Sequence, residues 1–175
     1  MNLPNKLTIL RVIAVPIFVV LFINKHFWLA ILIFALASLT DLLDGKIARS
    51  RGLVTNFGKI MDPLADKILV YSAFSLMVAN GMIPAWVLIV ILAREFTVSG
   101  MRTVAASEGI VIAAAMSGKI KTVLQMLSVI GLLLLNAISS TVLTVTAYVL
   151  LYASLVMTVF SGIEYVIKNR KVFTL

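Results

Sequence analysis

The sequence predicts an all-α integral membrane protein of six transmembrane helices, with both termini on the cytoplasmic side. Three observations predict it. Of 175 residues, 62% are hydrophobic and only 13% charged, against about 25% charged in ordinary soluble domains. The mean hydropathy of +1.13 is correspondingly high. The apolar residues fall into six long runs, and lysine and arginine collect on alternate connections between them.

The runs are Leu7–Ile23, Phe27–Leu43, Ile60–Ala79, Ile83–Ala106, Ile120–Ile138 and Val142–Ile167. Each approaches the roughly 20 residues that span a bilayer. Turn-forming residues separate them at Asn24-Lys25-His26, Asn80-Gly81, Ser117-Gly118 and Ser139-Ser140. The reversal between the second and third runs is expected at 50–57, SRGLVTNF. The first, third and fifth connections hold Lys25 and no other lysine or arginine. The opposite side holds Lys6, then Lys46, Arg49, Arg51 and Lys59, then Arg102, Lys119 and Lys121, then Lys168, Arg170 and Lys171. Cytoplasmic loops are enriched in lysine and arginine, so that side is the cytoplasmic one.

The N-terminal run MNLPNKLTILRV is expected to be retained, because Arg11 interrupts it and no small-x-small cleavage site follows. No repeat or composition break divides residues 1–175, which read as one membrane domain. The absence of cysteine excludes disulfides and thiolate metal sites, and the single histidine, His26, excludes a multi-histidine site. A net charge of +8 on so apolar a chain suits an anionic leaflet and a phosphate-bearing substrate better than nucleic acid.

Between the second and third runs the chain reads D-x2-D-G-x2-A-R-x8-G-x3-D-x3-D, made of Asp41, Asp44, Gly45, Ala48, Arg49, Gly58, Asp62 and Asp66. Asp41 and Asp44 are three positions apart, and Gly58, Asp62 and Asp66 recur every four. Those spacings put side chains on one helix face. Two antiparallel helices would therefore bring four carboxylates together at the cytoplasmic face. Converging carboxylates repel one another, and hard divalent cations relieve the repulsion. An all-oxygen donor set suits Mg2+, Mn2+ or Ca2+. Two such ions about 4 Å apart can clamp the attacking and leaving oxygens of a phosphoryl displacement. Gly45 and Gly58 leave room for close approach. Pro63 fits a first helical turn or a kink. The competing reading is interfacial ion pairing of these aspartates with Lys46, Arg49, Lys59 and Lys67.

The run DLLDGKIARSRGLVTNFGKIMDPLAD resembles the signature of the CDP-alcohol phosphotransferase family, with every defining position present. The resemblance implies a six-helix membrane enzyme, usually a homodimer, with its active site at the cytoplasmic face between helices 2 and 3. Such enzymes transfer a phosphatidyl or related group from a CDP-linked donor to an alcohol and release CMP. Matched residue by residue, Asp41, Asp44, Asp62 and Asp66 are the metal ligands, and Asp66 is also the general base. Asp44, Gly45, Ala48 and Gly58 line the nucleotide and pyrophosphate site. Arg49 either meets donor phosphate or pairs with an aspartate. Asn5 and Thr8 either reach the nucleotide or cap the first helix. Arg11 is expected to snorkel to headgroups.

The motif leaves the acceptor alcohol open. Arg94 and Glu95 lie within the fourth run, Arg102 follows eight positions after Arg94, and Lys119 and Lys121 precede or open the fifth. Arg94 within an apolar run needs a partner. It either pairs with Glu95 or, with Arg102, Lys119 and Lys121, forms an anion pocket. The two lysines read equally as cytoplasmic anchors. The flanking runs NLPNKLTILR, VTNFGKIMDPLADK, AREFTVSGMR and GKIKT resemble those family members that use CDP-diacylglycerol as donor and sn-glycerol 3-phosphate as acceptor. Other acceptors within the family are inositol phosphate, serine and phosphatidylglycerol. A cation transporter is the reading from outside it, and it would place carboxylates nearer the bilayer midplane.

Overall fold

The computed structural model describes residues 3–50, 56–113, 115–170 and 172, except for the side chains of 3–6, 41–50, 56–60, 62, 63 and 66. Among the described residues it contains six α-helices: α1 Leu3–Ile23, α2 Phe27–Ser50, α3 Asn56–Ala79, α4 Ala85–Ser107, α5 Met116–Leu135 and α6 Thr141–Lys168. Two of them, α5 and α6, are long and apolar enough to cross a membrane by length and composition. Among the described residues, apolar stretches also lie at Leu7–Ile23 in α1, Phe27–Thr40 in α2 and Lys67–Ala79 in α3, and α4 carries Arg94, Glu95 and Arg102 in its interior.

Helix ends and apolar runs do not coincide. The helix α2 continues to Ser50 and α3 begins at Asn56, so the aspartate-bearing segments are helical although polar. Backbone hydrogen bonding needs only compatible residues, whereas hydropathy marks what surrounds them. Position 63 consequently falls in the interior of α3, not in its first turn.

Three helices end in the same way. After α1, the N–H of Lys25 donates to Phe22 and that of His26 to Leu21; after α3, Gly81 donates to Val78 and Met82 to Met77; after α4, Gly109 donates to Ala106 and Ile110 to Ala105. These are Schellman caps, which require a left-handed residue just past the helix. Gly81 and Gly109 supply it at φ +68° and +74°, and Lys25 supplies it at φ 61° without the freedom of glycine. At the start of α6 the Ser140 hydroxyl accepts from the Leu143 N–H at 3.4 Å. Three of the four expected breaks are thus real turns. Ser117-Gly118 is not: both residues lie inside α5, and the turn falls at Glu108 and Gly109 instead. The small residues there serve packing.

The helices α5 and α6 form an antiparallel pair; α1 packs on α2 and α3, and α4 on α6. A Cβ on Gly131 would lie 3.0 Å from the Ala147 Cβ, so glycine permits the close α5–α6 approach. Buried hydroxyls on α6 are satisfied within the helix, Ser154 donating to Leu151 O and Thr158 to Ser154 O, each at 2.7 Å. The apolar core includes Phe18 of α1 and Phe34 of α2, whose rings lie 5.6 Å apart, and, in the same cluster, Phe74, Met77, Ile91 and Leu132. Tyr148 of α6 closes one end by donating to the Met82 carbonyl at 2.6 Å.

Candidate active site

Two polar regions stand out, joined by α3. The first is the aspartate pair on each of α2 and α3. Asp41 and Asp44, with Gly45, Ala48 and Arg49, belong to the last part of α2; Gly58, Asp62 and Asp66 belong to the first part of α3. Their side chains lie outside the described residues, as does that of Asn5 on α1. Among the described residues no three acidic, histidine or cysteine side chains converge. The donor chemistry can still be tested. The set is wholly carboxylate, no cysteine exists, and the sole histidine precedes α2 at the opposite end from Asp41, roughly 20 Å away at 1.5 Å per residue. Such a set fits a hard divalent cation.

Thr8 and Arg11 lie on α1. Thr8 is buried, and Arg11 is only 1% exposed; both engage partners. Arg11 therefore does not snorkel to headgroups. Its guanidinium is enclosed by the bundle, because neighbouring helices cover the face on which it sits.

The second region is a cavity of about 360 Å3. Lys67 of α3, Arg94, Glu95, Ser99 and Arg102 of α4, Lys119 of α5 and Tyr165 of α6 all line it. The helix α4 supplies the most because positions 94, 95, 98, 99 and 102 recur at helical spacing. Among the described residues its lining carries four cations and one carboxylate, an excess that suits an anion.

Glu95, 8% exposed, is the hub. Arg94 Nη1 lies 2.9 Å from Glu95 Oε1, Lys67 Nζ lies 3.5 Å from Oε2, and Lys121 donates to Oε1. Lys67 also donates to Ser99 Oγ at 2.5 Å. Arg102 is held separately. Its Nε donates to the Tyr165 hydroxyl at 3.1 Å, and its guanidinium carbon sits 5.5 Å from the Tyr165 ring centroid. Ser117 donates to the Glu164 carboxylate, which Lys168 meets at 2.5 Å.

Of the four expected anion-pocket residues, Arg94, Arg102 and Lys119 share this cavity and Lys121 does not. Lys121 is 3% exposed, faces Glu95, and lines an adjoining space of about 200 Å3 with Tyr71 and Gln125. It stands two positions from Lys119, and residues two apart on a helix point some 200° apart. The Arg94–Glu95 pair and the shared cavity coexist, so those two readings were not alternatives. Lys67, Ser99 and Tyr165 are additions. Lys67 had a signal, a lysine directly after Asp66 at the mouth of an apolar run. Tyr165 had none, because an aromatic on an apolar helix reads as lipid-facing or packing surface.

A helical bundle that buries cations around a single carboxylate, next to helices bearing four spaced aspartates, defines a class of charged-site proteins built from largely apolar helices. The CDP-alcohol phosphatidyltransferase family pattern matches residues 1–160, and the chain belongs to that family. The chain is similar to the CDP-diacylglycerol–glycerol-3-phosphate 3-phosphatidyltransferase of Bacillus subtilis (strain 168), with 43% identity covering 96% of this chain and 95% of that one. It is similar also to the protein of the same name in Rickettsia bellii, at 37% identity over 98% and 97% of the two chains. A Mycobacterium tuberculosis (strain H37Rv) protein named probable phosphatidylglycerophosphate synthase is 39% identical over 94% of this chain and 80% of its own. Membership in a membrane-associated family, with two helices able to cross a bilayer, puts the chain at a membrane.

Proposed function

We propose that this protein transfers the phosphatidyl group of CDP-diacylglycerol to sn-glycerol 3-phosphate, yielding phosphatidylglycerophosphate and CMP. Near-full-length similarity to relatives named for that reaction supports it. One structural observation carries the acceptor assignment: the cation-lined cavity begins at Lys67, the residue directly after Asp66 on α3. A small phosphate ester held there would have its hydroxyl near the segment that bears the general base.

Asp41, Asp44, Asp62 and Asp66 are the residues that would hold two divalent ions, Mg2+ or Mn2+. Bound there, the ions supply charge neutralisation for the donor pyrophosphate and the departing CMP. Gly45, Ala48 and Gly58 leave space for the nucleotide, with Arg49, Asn5 and Thr8 beside it. Arg94, Arg102, Lys119 and Lys67 hold the acceptor phosphate, Arg102 with its fork oriented by Tyr165. Lys121 acts from behind, through Glu95. Asp66 takes the proton from the acceptor's primary hydroxyl. The hydroxyl oxygen bonds to the phosphorus that carries diacylglycerol, and the bond from that phosphorus to CMP breaks. Positioning and fixed charge supply most of the rate.

All six helices cross the bilayer in this reading, with both termini and the aspartates cytoplasmic, and two copies form a dimer. Exposed Trp28 and Trp86, at the starts of α2 and α4, support the topology. Both fall at the end away from the basic connections, where interfacial tryptophans anchor to headgroups.

The test is CMP release by the purified protein in detergent with CDP-diacylglycerol and Mg2+, offering glycerol 3-phosphate, inositol phosphate, serine and phosphatidylglycerol separately. Release with glycerol 3-phosphate alone is expected. Release with a different acceptor overturns the acceptor assignment and leaves the family chemistry standing.

A further inference from the structure

Glu95 poses a problem for an anion-binding cavity. A carboxylate on its wall repels the phosphate that the surrounding cations attract. Burial makes the repulsion worse, because little water screens it. A site selected only for positive charge would carry an amide there.

The surroundings of Glu95 suggest what it does instead. Its two oxygens are shared among cations from three helices, Lys67 of α3, Arg94 of α4 and Lys121 of α5. Lys121 is buried and does not line the anion cavity. It offsets the charge of Glu95 from behind and leaves Lys67 and Arg94 at the front. Without the carboxylate these cations would repel one another, and their flexible stems would scatter. Arg94 is confined from the other side as well. A Cβ on Gly162 of α6 would come within 2.9 Å of Arg94 Cγ, and one on Gly118 of α5 within 3.3 Å of Nη2. Arg94 Nε is buried with no hydrogen-bond partner among the described residues, so the pairing with Glu95 does not exhaust its donors.

We infer that Glu95, backed by Lys121, is a positioning residue that holds Lys67 and Arg94 in place for the acceptor's phosphate. This rests on the reading of the cavity as the acceptor-phosphate site. Preorganised cations bind an anion without first being ordered by it.

Charge and position have opposite consequences at Glu95. Removing a negative charge from the wall should tighten phosphate binding if charge alone matters. If position matters, binding weakens. The experiment uses the full-length protein in detergent and measures KM for glycerol 3-phosphate and the inhibition constant of inorganic phosphate against it. In Glu95→Gln both constants are expected to rise about tenfold, the scale of one lost charge-assisted hydrogen bond, with a smaller change in kcat. Glu95→Asp keeps the charge and shortens the reach, and is expected to fall between Gln and the unaltered protein. It also serves if the Gln protein fails to fold. Constants that fall or stay level in Glu95→Gln, or that stay level in Glu95→Asp, overturn the inference; so does a loss confined to kcat. If inorganic phosphate does not compete with glycerol 3-phosphate in the unaltered protein, the cavity reading itself fails and the inference falls with it.

Discussion

Around Phe18 and Phe34 the helices meet through rings and methyl groups, while around Glu95 they meet through shared charge. Both regions are buried, and they specify the fold differently. Apolar contacts carry little directionality, so van der Waals fit must do the selecting. The rings interlock, but rings of similar size could interlock in other registers. A carboxylate facing cations from two other helices admits one arrangement, since any slip leaves a buried charge exposed to apolar surroundings. The aromatic end holds the bundle together, and the charged end fixes which helices are neighbours and where the cavity opens.

Substitutions can break that contrast. The largest expected effect is at the aspartates: Asp62→Asn and Asp66→Asn should each cut turnover on the order of a thousandfold or more, while size-exclusion profiles and thermal unfolding in detergent stay as in the parent. Near-normal turnover in Asp66→Asn would remove its role as base. Next is Phe34→Ala at the aromatic end. The lost ring contacts and the cavity left behind together cost about 3–5 kcal/mol, read as a lower unfolding temperature, with turnover per folded molecule kept. A matching loss of turnover would mean that the two ends are not separable. The smallest is Arg102→Ala, expected to raise KM for glycerol 3-phosphate about tenfold, the value of one charge-assisted contact, with unfolding unchanged. An unchanged KM would place Arg102 outside the acceptor's reach.

Much of the charged end is legible in the sequence, because buried charge is costly and its spacing carries information. Arg94 and Arg102, eight positions apart on one helix, announce themselves in this way and both line the cavity, while the side chains of Asp41, Asp44, Asp62 and Asp66 lie outside the described residues. Direction is less legible than type. Lys119 and Lys121 look equivalent as two lysines at a helix start, yet one lines the cavity and the other turns back to Glu95. Arg11 reads as a surface residue because its own helix gives no sign of what covers it. Ser117-Gly118 reads as a turn because small polar residues mark both turns and close packing. Only the partner, Arg94 beside Gly118 and Glu164 beside Ser117, distinguishes the two. The aromatic end is legible as apolar and no further, since the choice of which rings meet depends on tertiary fit.

The contact between Gly162 and Arg94 bears on how this family can change over time. A methyl group at 162 would collide with the stem of Arg94, at 2.9 Å from Cγ. Shortening of residue 94 opens that space, whereas growth of residue 162 gains nothing while the arginine remains. The two positions should therefore drift in a fixed order, 94 first and 162 second. Among descendants that keep arginine at 94, glycine at 162 should persist even where the rest of α6 has diverged.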